Sequence, residues 1–216
     1  MTKKFTKKQI DSLRTAIGKR MSFERFRHTL GVEHMAKAIG EICLPDKVDV
    51  ICAAALLHDV SKEYSEAEHL LLTEKHGIVL SDEDRAVPSV WHSITGPLVV
   101  MDEFPKFATE EVLPAIRNHT VGSPDMSIID EIIFLSDYIE FGRTHEACVA
   151  LRSKFLDQIA KCEYVEEAIA VLHGAVVESL GNTIKLLSAR HKKIHSQTKL
   201  TRNAIMAKIE RNNNGK

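Results

Sequence analysis

The chain has 216 residues, 44% of them hydrophobic and 27% charged, with a formal net charge of −1. That is the composition of a globular protein long enough for one domain with a proper core. The near-zero charge excludes the strongly basic surface by which a protein meets nucleic acid or a membrane.

The four cysteines, Cys43, Cys52, Cys148 and Cys162, form no C-x-x-C pair and read as small packed hydrophobes in a reducing compartment. No apolar run approaches the ~18 residues of a membrane span. The opening MTKKFTKK has no apolar region behind its lysines and is not a signal peptide. The expected location is the cytoplasm.

Taken in order, the elements are helices. Gln9 to Lys19 makes a short one, with Ile10, Leu13 and Ile17 at helical spacing. Ser22 is placed to cap a longer helix to about Cys43, stopped by Pro45. A third runs from about Lys47 to His58. Ser65 with Glu68 matches a capping box for the fourth, which Gly77 closes. An acidic loop, Ser81 to Asp84, precedes helices near His92 to Glu103 and Thr109 to His119. Ser127 caps a strongly apolar helix through Ile139, ended by Gly142, and one or two more occupy Glu146 to Ser188. No strand alternation, repeat or linker interrupts the pattern. The expected fold is a single all-α domain over residues 1–205, with a flexible tail over 206–216 in which NNNGK looks disordered.

Candidate chemistry sits at helix ends. AAALLHDVSKEY, residues 53–64, climbs through small and apolar residues to an adjacent imidazole and carboxylate, His58 and Asp59. Burying an unpaired carboxylate costs several kcal/mol, so a cation is required. Asp137 poses the same demand within SIIDEIIFLSDYIEFGR, where Arg143 offers an internal ion pair as the plainer answer. His28, His92 and His119 also lie on separate helices or at their ends. No local spacing joins these positions, and any one histidine alone reads more simply as a core or surface residue. Imidazole and carboxylate together suit iron, manganese, cobalt, nickel or zinc better than magnesium.

Five blocks, RFRHTLGVEHMAKAI, AALLHDVSKEY, WHSITGPLVV, AIRNHT and IIFLSDYIEFGR, occur in the order found in HD-domain metallophosphohydrolases. More narrowly, the chain resembles the YqeK family of symmetrical diadenosine tetraphosphate hydrolases, from about Leu13 to Met206 and including KKIHSQTKLTRNAI. The resemblance implies an all-helical HD fold and a divalent transition metal, iron before manganese or cobalt, at one or two ions per chain. It implies that His28, His58, Asp59 and Asp137 bind one metal and that His92 and His119 bind a second, with Asp59 bridging. Lys62 and Arg143 match positions that neutralise substrate phosphates, and with Asp59 they form the implied catalytic set. His195 falls in the shared C-terminal segment, by the nucleotide. One departure is Phe141, where the family usually reads Asp-Tyr-Ile-Glu-Pro-Gly-Arg; THEACVALR also lacks the usual Phe-Pro-Gly-like turn.

The set makes physical sense for a phosphoanhydride. Its hydrolysis needs a nucleophile made from water at neutral pH, which a metal ion supplies. It also needs positive charge where negative charge builds on the phosphoryl oxygens. The other histidines, His34, His69, His76, His145, His173 and His191, read as solvated or packed. Expected partners are a nucleotide substrate, with no nucleic acid and no membrane, and a homodimer is left open. Two rivals keep the same residues: an HD phosphohydrolase of a nucleoside monophosphate or guanosine tetraphosphate, and a nucleotide sensor without turnover.

Overall fold

Central to the fold is a helix that is buried on every side after its first two residues. The computed structural model describes residues 5–214, and among them all regular structure is helical. Residues Val48–Leu57 form α3, after α1 (Lys7–Gly18) and α2 (Phe23–Cys43). Ala53 through Leu57 are wholly excluded from solvent. The run of alanines lets neighbouring helices approach closely, and α3 packs against α1, α2, α7 (Val112–Asn118) and α8 (Ile128–Ile139). On the far side, α8 rests on α10 (Val165–Ala189), which also packs against α9 (Glu146–Ile159) and α11 (Ser196–Asn214). Along the chain between α3 and α7 come α4 (Glu66–Lys75), α5 (Asp82–Arg85) and α6 (Trp91–Glu103); α4 packs on α6, and α6 on α7. No helix among the described residues is long and apolar enough to cross a membrane.

The helix starts follow their side chains. Ser22 accepts from the backbone N–H of Arg25, and Ser65 and Ser127 each close a full capping box, with Glu68 and Asp130. Each such cap contributes about 1 kcal/mol. The acidic Ser81–Asp84 stretch, expected as a loop, is the start of α5: Ser81 and Asp84 form a third box of this kind. The helix expected from Thr109 begins at Val112, because Thr109 Oγ1 accepts from the Val112 N–H and so stands outside it.

The largest difference is at the C-terminus. The boundary expected at residue 205 falls inside α11, a helix the sequence reading did not contain. Its buried stripe is Thr198, Thr201 and Ile205, with Ile209 packed behind them. Two of those four are threonines, so apolar periodicity is too thin to reveal it. Residues 215–216, the end of the expected flexible tail, lie outside the described residues.

Candidate metal centre

α3 ends by delivering His58 and Asp59 into the middle of the protein. Its last turn passes into a series of tight turns, with Val60 N–H on Leu57 O and Lys62 N–H on Asp59 O. Ser61 Oγ donates to the carbonyl of His92 (3.0 Å) and so ties this corner to the start of α6. Three more helices converge there: α2 brings His28, α7 ends at His119, and α8 carries Asp137.

The six residues form two groups whose ligand-type atoms lie close enough to share an ion: His28, His58 and Asp137; and Asp59, His92 and His119. Asp59 faces both. Its Oδ2 is 3.4 Å from His58 Nε2, while its Oδ1 is 3.4 Å from His92 Nε2 and 3.5 Å from His119 Nε2. His28 Nε2 lies 3.0 Å from Asp137 Oδ1.

The tautomers follow from the outer contacts. His58 Nδ1 donates to Ala55 O and His119 Nδ1 to Ile116 O, each at 2.7 Å. A carbonyl only accepts, so both protons sit on Nδ1, and each neutral ring turns a bare Nε2 lone pair inward. His28 is held the same way, Nδ1–H to Glu140 Oε1 at 3.2 Å. The buried Nε2 atoms of His28 and His58 have no hydrogen-bond partner, though carboxylate oxygens stand beside them. Lone pairs facing carboxylate oxygens repel unless a cation lies among them. The donor set therefore fits a divalent metal, and its imidazole-rich chemistry favours a transition metal.

The electrostatics agree. Burial opposes charge on Asp59, and its carboxyl stays well below its ordinary value only when positive charge faces it, from protonated His58 and His119 rings or, with those rings neutral, from a cation held among them. Burial, helped by His119 and Lys62, pushes His92 well down, which keeps that ring neutral and its lone pair unprotonated. Burial also lowers Lys62, whose Nζ reaches His92 Nε2 at 3.0 Å.

Arg143 makes the internal ion pair that its sequence position offered: Nη2 meets Asp137 Oδ1, and Nε donates to Asp137 O at 2.9 Å. Asp137 thus has both a guanidinium and His28 as neighbours. Phe141 does not disturb this. It is the second residue of a turn closed by Arg143 N–H to Glu140 O (2.9 Å), a position where proline is favoured but any residue with ordinary φ is accepted.

Sequence reasoning missed three residues here. Arg25 Nη1 pairs with Asp59 Oδ2 at 2.7 Å; its signal was its place one turn before His28 on α2. Glu140 orients His28. Thr120 Oγ1 lies 3.0 Å from the Nε2 atoms of both His92 and His119.

Two clefts flank the centre. The larger, ≈ 840 Å³, is lined by Arg25, Arg27, His28, Arg143 and Phe141 among others. The smaller, ≈ 370 Å³, has Thr120, Lys192, Lys193 and His195 in its wall. His195 is fixed there by α5, with Nε2 3.2 Å from Asp84 Oδ1.

Residues 25–142, the span that carries all six residues, match the HD domain. The chain belongs to the HD-domain family. Similar proteins include the symmetrical bis(5′-nucleosyl)-tetraphosphatase of Halalkalibacterium halodurans, 32% identical across 84% of this chain and 89% of that one. The protein of the same name from Bacillus subtilis is 27% identical across 88% and 94%. A crystal structure of a Clostridium acetobutylicum protein, described as a predicted HD superfamily hydrolase involved in NAD metabolism, superposes with a TM-score of 0.79. It is 25% identical and covers 95% of this chain and all of that one. The all-helical HD architecture expected from the five sequence blocks is therefore borne out.

Proposed function

We propose that this HD-domain protein is a metal-dependent hydrolase that cuts dinucleoside tetraphosphates symmetrically into two nucleoside diphosphates. One observation carries the reading: two His/Asp groups, joined through the two oxygens of Asp59, open beside a cleft lined by three arginines. The two relatives of that activity, similar over most of their length, support it.

His28, His58 and Asp137 would hold one ion and His92 and His119 a second, with Asp59 shared between them. Iron is the metal proposed, with manganese or cobalt as substitutes. When bound, such an ion supplies Lewis acidity, activating water near neutral pH and drawing charge from phosphoryl oxygens.

The rest falls to the chain. Arg25 and Arg27 attract the polyanion to the cleft and hold it in register. Arg143 grips Asp137 with one edge of its guanidinium and turns toward the cleft it lines, where the fork suits two phosphate oxygens at once. Lys62 places an ammonium group beside His92, where negative charge accumulates as the anhydride breaks. Asp59, Lys62 and Arg143 are the catalytic residues of this reading. His195, in the smaller cleft with Lys192 and Lys193, serves the distal part of the nucleotide. The domain proper takes in α11, which packs against α10 and contributes Thr198 to the smaller cleft. A cytoplasmic location goes with four free cysteines, two of them made inert by burial: Cys43 is pushed up to about 11 and Cys52 to about 12.

Hydrolysis of diadenosine tetraphosphate in oxygen-18 water tests the reading. ADP as sole nucleotide product, half of its molecules labelled, is expected. AMP together with ATP means that attack falls on a different phosphorus.

A further inference from the structure

Phe141 is 62% exposed, an unusual position for a large aromatic, and it lines the larger cleft beside Arg25, Arg27 and Arg143. Its ring is not loose. The Arg152 guanidinium lies over one face, 5.1 Å from the centroid. Arg152 is itself pinned, its Nη1 donating to three carbonyls, Ile139 O (3.2 Å), Glu140 O (2.8 Å) and Arg143 O (3.2 Å). These carbonyls bracket the turn that carries Phe141, and the turn is closed by Arg143 N–H to Glu140 O. The same turn supplies Glu140 to His28 and Arg143 to Asp137. An aromatic plane is thus held rigid, backed by a cation on one face, and fastened to the frame of the metal centre.

We infer that Phe141 is a stacking platform for the nucleobase, the residue by which the larger cleft takes a purine nucleotide rather than a bare polyphosphate. The inference rests on the nucleotide-hydrolase reading and adds the part of the substrate that the charged groups do not address. Arginines and metal-binding residues recognise phosphate alike in every nucleotide. They cannot tell a nucleotide from pyrophosphate, or a purine from a pyrimidine. A base laid on the open face of Phe141 would lie against an aromatic surface that Arg152 polarises from behind. Stacking on an aromatic residue is worth about tenfold to a hundredfold in affinity by alanine substitution, and larger π faces gain more. Because Phe141 stands free of the core, replacing it leaves the fold intact.

Calorimetry on the full chain with ADP, UDP and inorganic pyrophosphate tests this without relying on turnover. Phe141→Ala and Phe141→Leu should each weaken ADP by about tenfold or more, weaken UDP less, and leave pyrophosphate as in the wild type. Phe141→Trp should retain ADP binding and report it. The chain's own tryptophan, Trp91, is buried, so an emission change on adding ADP that the wild type lacks would come from position 141. Unchanged ADP affinity in the alanine and leucine variants, or an equal loss for pyrophosphate, overturns the inference. Failure to cut a dinucleoside tetraphosphate would instead count against the hydrolase reading, since nucleotide binding is measured separately.

Discussion

Glu140 Oε1 accepts the Nδ1 proton of His28 at 3.2 Å, and the backbone of α2 passes directly beneath it at Gly31. The helix can come this close only because residue 31 has no side chain. A Cβ there would overlap Glu140 Oε2. Glu140→Gln removes the charge that fixes the ring, and Gly31→Ala displaces the carboxylate by steric overlap while leaving its charge in place. Both variants should lose metal affinity by about 10- to 100-fold, the usual effect of losing an outer hydrogen-bond partner. Metal competition against a chelator measures it, and wild-type retention in both would show that Glu140 does not support His28.

His58→Ala and Asp59→Ala should abolish turnover, on the order of a thousandfold or more, because the groups that hold the activating ion are gone. Elemental analysis should find roughly one to two transition-metal ions per chain in the wild type and fewer in these variants. A metal-free wild type that regains nothing with iron, manganese or cobalt is the contrary result.

Lys62→Ala should lose turnover while keeping its metal. The ammonium group contacts His92 but is no metal donor while protonated, so its removal costs charge stabilisation alone. Metal loss in step with activity would reassign Lys62 to the frame of the site.

His173 belongs to the packed histidines, yet it is not inert. Its Nδ1 meets Glu131 Oε2 at 2.6 Å, both side chains are buried, and the other help comes from Lys208 at 3.5 Å. His173→Ala leaves that carboxylate short of a partner in the core, and unfolding in urea should show a loss of about 3–5 kcal/mol. Metal content per folded molecule should match the wild type. A fall in metal rather than in stability would tie this pair to the site.

Burial raises the Asp130 carboxyl above its ordinary value, despite hydrogen bonds from Asn118 and Ser127, and neighbouring Glu131 adds to the rise. The folded chain therefore holds a proton that the unfolded chain has released. That contributes stability below the ordinary aspartate value, and the contribution is lost as pH climbs through the raised one. Asp130→Asn has nothing to release, so its stability relative to wild type should grow with pH from about 4 upward. Parallel stability curves for the two proteins would exclude it.

What the sequence disclosed divides along physical lines. Helices with strong apolar faces and serine caps, such as those opened by Ser65 and Ser127, could be placed to within a residue or two. Of the six candidate ligands, His58, Asp59 and Asp137 stood out because a histidine or aspartate among alanines and isoleucines demands compensation, whereas His28, His92 and His119 joined them only through the family resemblance. Contacts made across the fold left no such mark. Arg25 looks like any exposed arginine until α2 sets it on Asp59, and Glu140 like any helix-ending glutamate until it meets His28. α11 was hidden because threonines fill its buried stripe, which a hydrophobicity pattern does not register.

The position of that last helix orders events during synthesis. All six candidate ligands lie between residues 28 and 137, so a ribosome has translated the whole donor set long before α11. The smaller cleft lacks part of its wall until His195 reaches Asp84 and Thr198 takes its place, with α11 seated by Thr201 against Gly122, whose left-handed backbone and missing Cβ leave just enough room. A nascent chain thus carries its candidate donor set and every lining residue of the larger cleft before His195 and the first turn of α11 can close the smaller one.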